Sequence, residues 1–265
     1  MMKYFKYLNI ILILLAVTGC DNTTDVEIQV PYVSYYLIDG HLTNNVDFDG
    51  LTIKSTLPID QPYSDSLAEY NDAIVYLTVN GIRIIPLSNV GNGKYAARYP
   101  FKPSAGETYE LHGSIGDKTF YCKTVIPEIP SVNNVVYDYQ SRYYMIADVI
   151  PNDNEVYGAA WIVGDSLKQS SDFYSITSIL TGDVVKVRTE IVPTNLRTTS
   201  LLFKTWIQVY SFDPAFLDYY STKDRSKPID NLTLQGGTVK WNVTGDHIFG
   251  LFIGMAKTNL IAPKF

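Results

Sequence analysis

A chain of 265 residues with a net charge of −6 is long enough for one large or two small domains with ample core, and too acidic to hold nucleic acid through a basic face. Three histidines, at 41, 112 and 247, exclude a histidine-rich metal site. Twenty-one tyrosines and frequent Val, Ile and Thr suit pleated, half-buried surfaces.

The first element is a leader. Lys3 and Lys6 give a basic start, an apolar run follows from Leu8 to Val17, and small residues precede Cys20. That layout reads as a bacterial secretory signal peptide over residues 1–19; the run is too short for the roughly 20 residues that span a bilayer. Val17-Thr18-Gly19-Cys20 resembles the lipobox of bacterial lipoproteins, in which the cysteine thiol takes a diacylglycerol by thioether linkage. The expectation is a mature chain that begins at a lipidated Cys20 and sits on the outer membrane through that lipid. Cleavage there removes Lys3 and Lys6 and takes the net charge from −6 to −8. Lipidation of Cys20 would leave Cys122 without an intrachain partner, and its place on one face with Phe120 predicts a buried structural thiol. Residues 20–31 then form a polar tether, beginning Asp21-Asn22-Thr23-Thr24-Asp25.

Strand signals recur from residue 34 onward: Tyr35 to Leu42, Leu51 to Leu57, Ile74 to Val79, Ile82 to Ile85, Lys94 to Tyr99, Thr108 to Ile115 and Thr119 to Ile126. Asn80-Gly81 accepts positive φ and marks a hairpin, as does Gly116-Asp117-Lys118. In Thr108 to Ile115, apolar Tyr109, Leu111 and Ile115 alternate with polar neighbours, the period of a half-buried strand. About seven such strands in a hundred residues predict an immunoglobulin-like β-sandwich over 32–127. Pro127-Glu128-Ile129-Pro130 is a stiff, extended connection and sets the expected domain boundary.

The second half, 128–265, repeats the pattern. Candidate strands are 134–139, 143–150, 156–163, 173–180, 184–192, 201–212, 238–243 and 249–257, with a hairpin turn at Thr181-Gly182-Asp183. One short helix is predicted over 214–220, capped by Asp213 and started by Pro214. The fold class expected is therefore all-β, with two β-sandwich-like domains and one short helix in the second.

The order of several short segments resembles a lipoprotein family widespread in Bacteroidota, the domain-of-unknown-function 4249 group. The segments are Leu37 to Thr43, Leu51-Thr52-Ile53, Asn71 to Val75, Gly93-Lys94-Tyr95, Gly106 to Leu111, Ile126 to Pro130 and, at the close, Gly250-Leu251-Phe252-Ile253-Gly254. Pro151 to Tyr157 matches that family's pattern only loosely. The resemblance carries no catalytic residues. Such genes often neighbour TonB-dependent outer-membrane receptors, which implies a role beside a nutrient transporter.

Four further patterns bear on chemistry. Gly164-Asp165-Ser166-Leu167 resembles the nucleophile block of GDSL esterases, yet Thr244 stands where their aspartate precedes the base by three residues, counting back from His247. Asp47-Phe48-Asp49-Gly50 and Asn152-Asp153-Asn154-Glu155 are acidic turns that offer calcium-type oxygens without completing a known loop signature. The adjacent pairs Tyr35/Tyr36, Tyr143/Tyr144 and Tyr219/Tyr220 would place one ring of a strand pair outward, either for a sugar or protein ligand or as cover for a sandwich. Tripeptides beginning at Asn22, Asn231 and Asn242 match glycosylation acceptors, which carry no meaning in a bacterial lipoprotein. The expectation is a non-enzymatic accessory or binding module, with a surface adhesion or structural module as the alternative and an esterase third. No catalytic residue, cofactor or metal is expected.

Overall fold

Period-2 alternation dominates the chain. In a computed structural model it yields sixteen strands among the described residues, which are 31–138, 143–163, 169–178, 180–181, 183–197, 204–227, 232, 235 and 238–264. Cys20, Ser166, Asn22 and Asn231 lie outside the described residues. Residues 34–265 form one unit. Its first seven strands are β1 (Tyr36–Thr43), β2 (Leu51–Ser55), β3 (Ile74–Val79), β4 (Arg83–Gly91), β5 (Lys94–Ala97), β6 (Thr108–Ile115) and β7 (Lys118–Val125), with a one-turn helix α1 (Asp65–Ala68) before β3. Asn80 and Gly81 both take positive φ, 53° and 68°, and turn β3 into β4.

Seven strands with this alternation fit a sandwich or a barrel equally well, and the outcome is set by the far end of the chain. The last strands, β15 (Val243–Gly245) and β16 (Ile248–Lys257), return to the first half. β15 pairs antiparallel with β7, and β16 pairs antiparallel with β15 and parallel with β1, Tyr36 opposite Ile248 through Thr43 opposite Met255. The order β1-β2-β5-β4-β3-β6-β7-β15-β16 thus closes back on β1 as a nine-stranded barrel. The expectation of two sandwich domains, the first immunoglobulin-like, is corrected: the sheet is closed, and strands from 128–265 complete it. Alternation along a strand tells which side chains are inside and is silent about which distant strand lies alongside.

The barrel interior is filled. Ile38, Leu51, Ile53, Leu77, Leu111 and Phe252 are fully buried in one cluster with Tyr95 and Tyr109. The buried tyrosines find partners for their hydroxyls: Tyr95 donates to the Tyr70 carbonyl at 3.0 Å and accepts the Ala73 N–H at 2.8 Å, and Tyr109 donates to Glu107 at 2.7 Å. Cys122 is buried in the same cluster beside Phe120.

The middle of the chain supplies β8 (Ser131–Asp138), β9 (Tyr144–Ile150), β10 (Val156–Val163), β11 (Gln169–Ser170), β12 (Leu180–Thr181), β13 (Val184–Arg188) and β14 (Thr205–Phe212). β14 joins the C-terminal end of β16 and extends the barrel sheet through β10 to β11, while β12-β13-β9-β8 form a separate four-stranded sheet. The two layers share a core containing Met145, Val149, Trp161, Val187 and Ile207. Every residue of β10 is buried, as befits a strand covered on both faces. The predicted helix forms as α2 (Ala215–Thr222), and Asp213 accepts the Ala215 N–H at 2.9 Å. Its Phe216 and Tyr219 pack with Leu37, Leu251 and Ile253, so α2 covers the outer face of β1 and β16.

Candidate functional site

With α2 over β1 and β16, the opposite outer wall, built from β4, β3, β6 and β7, is left open. The register lines up one row across it: Pro86, Tyr76, His112, Tyr121 and Thr244, each opposite the next. The Tyr76 and His112 rings stack with centroids 5.0 Å apart and planes 10° apart, and Tyr121 tilts against His112 at 5.1 Å and 59°. Cross-strand aromatic pairs of this kind add roughly 0.2–1 kcal/mol each to sheet stability, so part of the row's purpose is structural.

Glu110 sits beside this row. Its carboxylate accepts the Thr78 hydroxyl at 3.1 Å and the Tyr121 hydroxyl at 3.2 Å, and His112 Nε2 lies 3.5 Å away. The Thr78 hydrogen bond, helped by those from Tyr121 and His112, holds the Glu110 carboxyl below the usual carboxylate range. The Glu110 carboxylate in turn pushes the Tyr121 hydroxyl up, after the larger effect of desolvation. A groove of about 590 Å³ runs past Tyr76, His112, Tyr121, Thr244 and Asp246, with Ile74, 71% exposed, on its rim.

A second groove, of about 620 Å³, lies along the outer side of β4 between Ile84, Pro86, Ser88 and the chain Arg98-Tyr99-Pro100. Ile84 is 64% exposed and Tyr99 72%. Two cations flank it, Arg83 and Arg98; the Arg98 guanidinium lies 5.5 Å from the Tyr99 ring centroid. Exposed apolar side chains concentrated on one wall mark a binding surface more often than scattered ones do.

The residues singled out from sequence have other fates. Each acidic turn has one carboxylate engaged with a neighbour. Asp49 pairs with Lys94 at 2.8 Å, and Glu155 accepts the Glu128 N–H at 2.8 Å and the Tyr157 hydroxyl at 2.9 Å. Among the described residues no group of three His, Cys, Asp or Glu side chains is placed to hold a metal ion. His247 packs on Tyr35, ring centroids 4.7 Å apart, and His41 lies exposed on β1. Of the tyrosine pairs, Tyr144 and Tyr219 are buried, Tyr36 meets Tyr70 edge-on, and Arg197 covers the Tyr143 ring at 4.0 Å. Asn242 is not a free acceptor: its side chain bridges the Phe252 N–H and C=O. Sequence reasoning missed Tyr76, Tyr121 and Ile84 as surface groups because it looked for neighbours along the chain. The row is made of single residues, each on its own strand, and only the hairpin registers align them.

The fold is a closed, side-chain-filled β-barrel with one grooved, partly apolar outer wall. The chain belongs to the domain of unknown function family DUF4249, whose profile covers residues 23–260. No curated protein matches it.

Proposed function

We propose that this protein is an outer-membrane lipoprotein, anchored through Cys20, that acts as a non-enzymatic binding module beside a TonB-dependent receptor and engages its partner through the open wall. The observation that carries the reading is the contrast between inside and outside. A barrel whose interior is packed with Tyr95, Tyr109 and Phe252 has no room for a ligand, whereas the outer wall exposes Ile74, Ile84 and Tyr121 around a half-buried Tyr76. The anchor is supported by Cys20 following a basic start and a short apolar run. Two acyl chains or more hold such a protein stably, since one binds only marginally.

The test is purification of the full chain from native membranes. The parent should carry acyl label and bring down a TonB-dependent receptor. Cys20→Ala should leave unprocessed precursor without label. The double variant Tyr121→Ala, Ile84→Asp should keep the label and lose the receptor. Recovery of the receptor at the parental yield by that variant overturns the wall as the binding face; normal labelling of Cys20→Ala overturns the anchor.

A further inference from the structure

The β4 groove has an open main-chain edge as well as its side chains. The Asn80 N–H donates to the Thr108 carbonyl at 2.8 Å. In an antiparallel ladder, bonding alternates residue by residue, so Asn80, Thr78 and Tyr76 bond toward β6 and Val79, Leu77 and Val75 toward β4. Their partners Arg83, Ile85 and Leu87 therefore bond back to β3, and the N–H and C=O of Ile84 and the C=O of Pro86 point the other way. On that side β5 ends at Ala97, opposite Leu87. The chain then leaves β4: the Phe101 carbonyl accepts the Phe48 N–H at 3.0 Å, and the Phe101 ring packs on Phe48 at 5.4 Å. No strand lies opposite Ile84. Pro86, which has no N–H to offer, sits where an edge is commonly blunted, leaving one donor and two acceptors open.

The walls of the same groove are apolar and cationic. Ile84, Pro86 and Tyr99 supply the surface, and Arg83 and Arg98 stand at its sides. Arg83 reaches the Tyr109 hydroxyl, which the Glu107 carboxylate also holds, whereas Arg98 forms no ion pair with a described residue, although the chain as a whole is acidic. From Arg83 to Pro86 the free edge spans roughly 10 Å, enough for three or four extended residues.

We propose that this groove binds an extended, acidic peptide segment of a partner protein, which adds main-chain bonds at Ile84 and Pro86, seats apolar side chains against Ile84 and Tyr99, and places a carboxylate on Arg98. This is strand addition, in which backbone bonds give affinity and alternate side chains give specificity. Charge complementarity selects the occupant: a basic or neutral strand would leave Arg98 without a counter-charge. The inference rests on the open wall as a binding face and is independent of the lipid anchor and of the receptor.

Fluorescence anisotropy with the full chain in detergent tests it. The probes are a labelled hexapeptide alternating aspartate with leucine or valine, its lysine-for-aspartate counterpart, and the acidic peptide N-methylated at alternate amides. The acidic peptide should bind and the basic one should not. Arg98→Gln, checked for an unchanged urea midpoint, should weaken the acidic peptide about tenfold, as should N-methylation, and 0.5 M salt should weaken it further. Equal binding of acidic and basic peptides, no binding of either, or an Arg98→Gln affinity equal to the parent's overturns the proposal. If the chain instead self-associates and Arg98→Gln dissolves the dimer, the occupant is a second copy and the peptide assignment is overturned. None of these outcomes touches Cys20.

Discussion

Replacing Gly250 by alanine strikes the contact that closes the barrel. A methyl carbon built on Gly250 would lie 2.0 Å from the Ile38 carbonyl oxygen and 2.7 Å from the Ile38 nitrogen. Both are main-chain atoms of β1, directly opposite in the parallel register. A flexible side chain could turn aside; this backbone moves only if β1 and β16 part. Losing two or three ladder bonds at about 1 kcal/mol each, together with about 1–3 kcal/mol of overpacking, gives roughly 3–6 kcal/mol of destabilisation. With an m-value of about 3 kcal/mol/M in urea, the midpoint should fall by about 1–2 M, read by tryptophan fluorescence. Gly81→Ala is the control. Gly81 has φ +68° in the β3–β4 turn and nothing within 4 Å of an added methyl, so its cost is conformational alone, about 1–2 kcal/mol. A Gly250→Ala midpoint no lower than that of Gly81→Ala would show that β1 and β16 are not in contact, and the barrel would have to be redrawn as an open sheet.

Burial pushes the Cys122 thiol up to about 12, so at pH 8 it should resist maleimide in the folded protein and react fully in urea. Because the folded state holds this proton more tightly, the thiol's contribution to stability is complete below pH about 9 and declines as pH rises from there toward 12; a Cys122→Ser chain should lack that part of the alkaline loss. Glu155→Ala strands the Glu128 N–H and removes the acceptor of the Tyr157 hydroxyl, which should cost about 1–3 kcal/mol and lower the melting temperature by several degrees, with Glu155→Gln milder and millimolar calcium without effect on the parent. Glu110 should titrate below the ordinary 4.5 by NMR, so its stabilising contribution is present above that pH and lost as pH falls through the depressed value; Thr78→Val should move the midpoint up, and an unmoved midpoint would refute the hydrogen bond as the main cause.

Local structure was legible in this sequence to a degree set by how local its causes are. Ile74–Val79, Thr108–Ile115 and Val156–Val163 form with the bounds read from their patterns, because alternation, or unbroken apolarity in the last, is a property of the segment itself. Asn80-Gly81 announces its turn because few residues accept positive φ. Other strands shift at their ends: Val184 to Val192 is a strand only to Arg188, and Phe173 to Leu180 keeps only isolated pairings before β12. Closure was not legible. β1 and β16 meet across more than 200 residues, and a parallel pair has no turn between its strands to announce it. The segment Gly250 to Gly254 is legible as part of a strand and by resemblance; the reason for its glycines is that Gly250 lies against Ile38 and Gly254 against Val125, on the two flanks of one strand.

The open wall follows from the same topology. β3 and β4, and β6 and β7, are joined by tight hairpins, and such connections leave no spare chain to lie over the strands they join. The chain between β14 and β15 is long by comparison and carries α2, which settles over β1 and β16. Solvent alone would favour polar side chains on an uncovered wall, and Thr119 and Lys123 of β7 obey that rule. Ile74 at the start of β3 and Ile84 on β4 depart from it, with Tyr76 and Tyr121 between the same hairpins. Nothing in the barrel core requires these outward groups to be apolar. Their position on a stretch of barrel wall that no described element covers is what directs the functional reading outward, toward a partner.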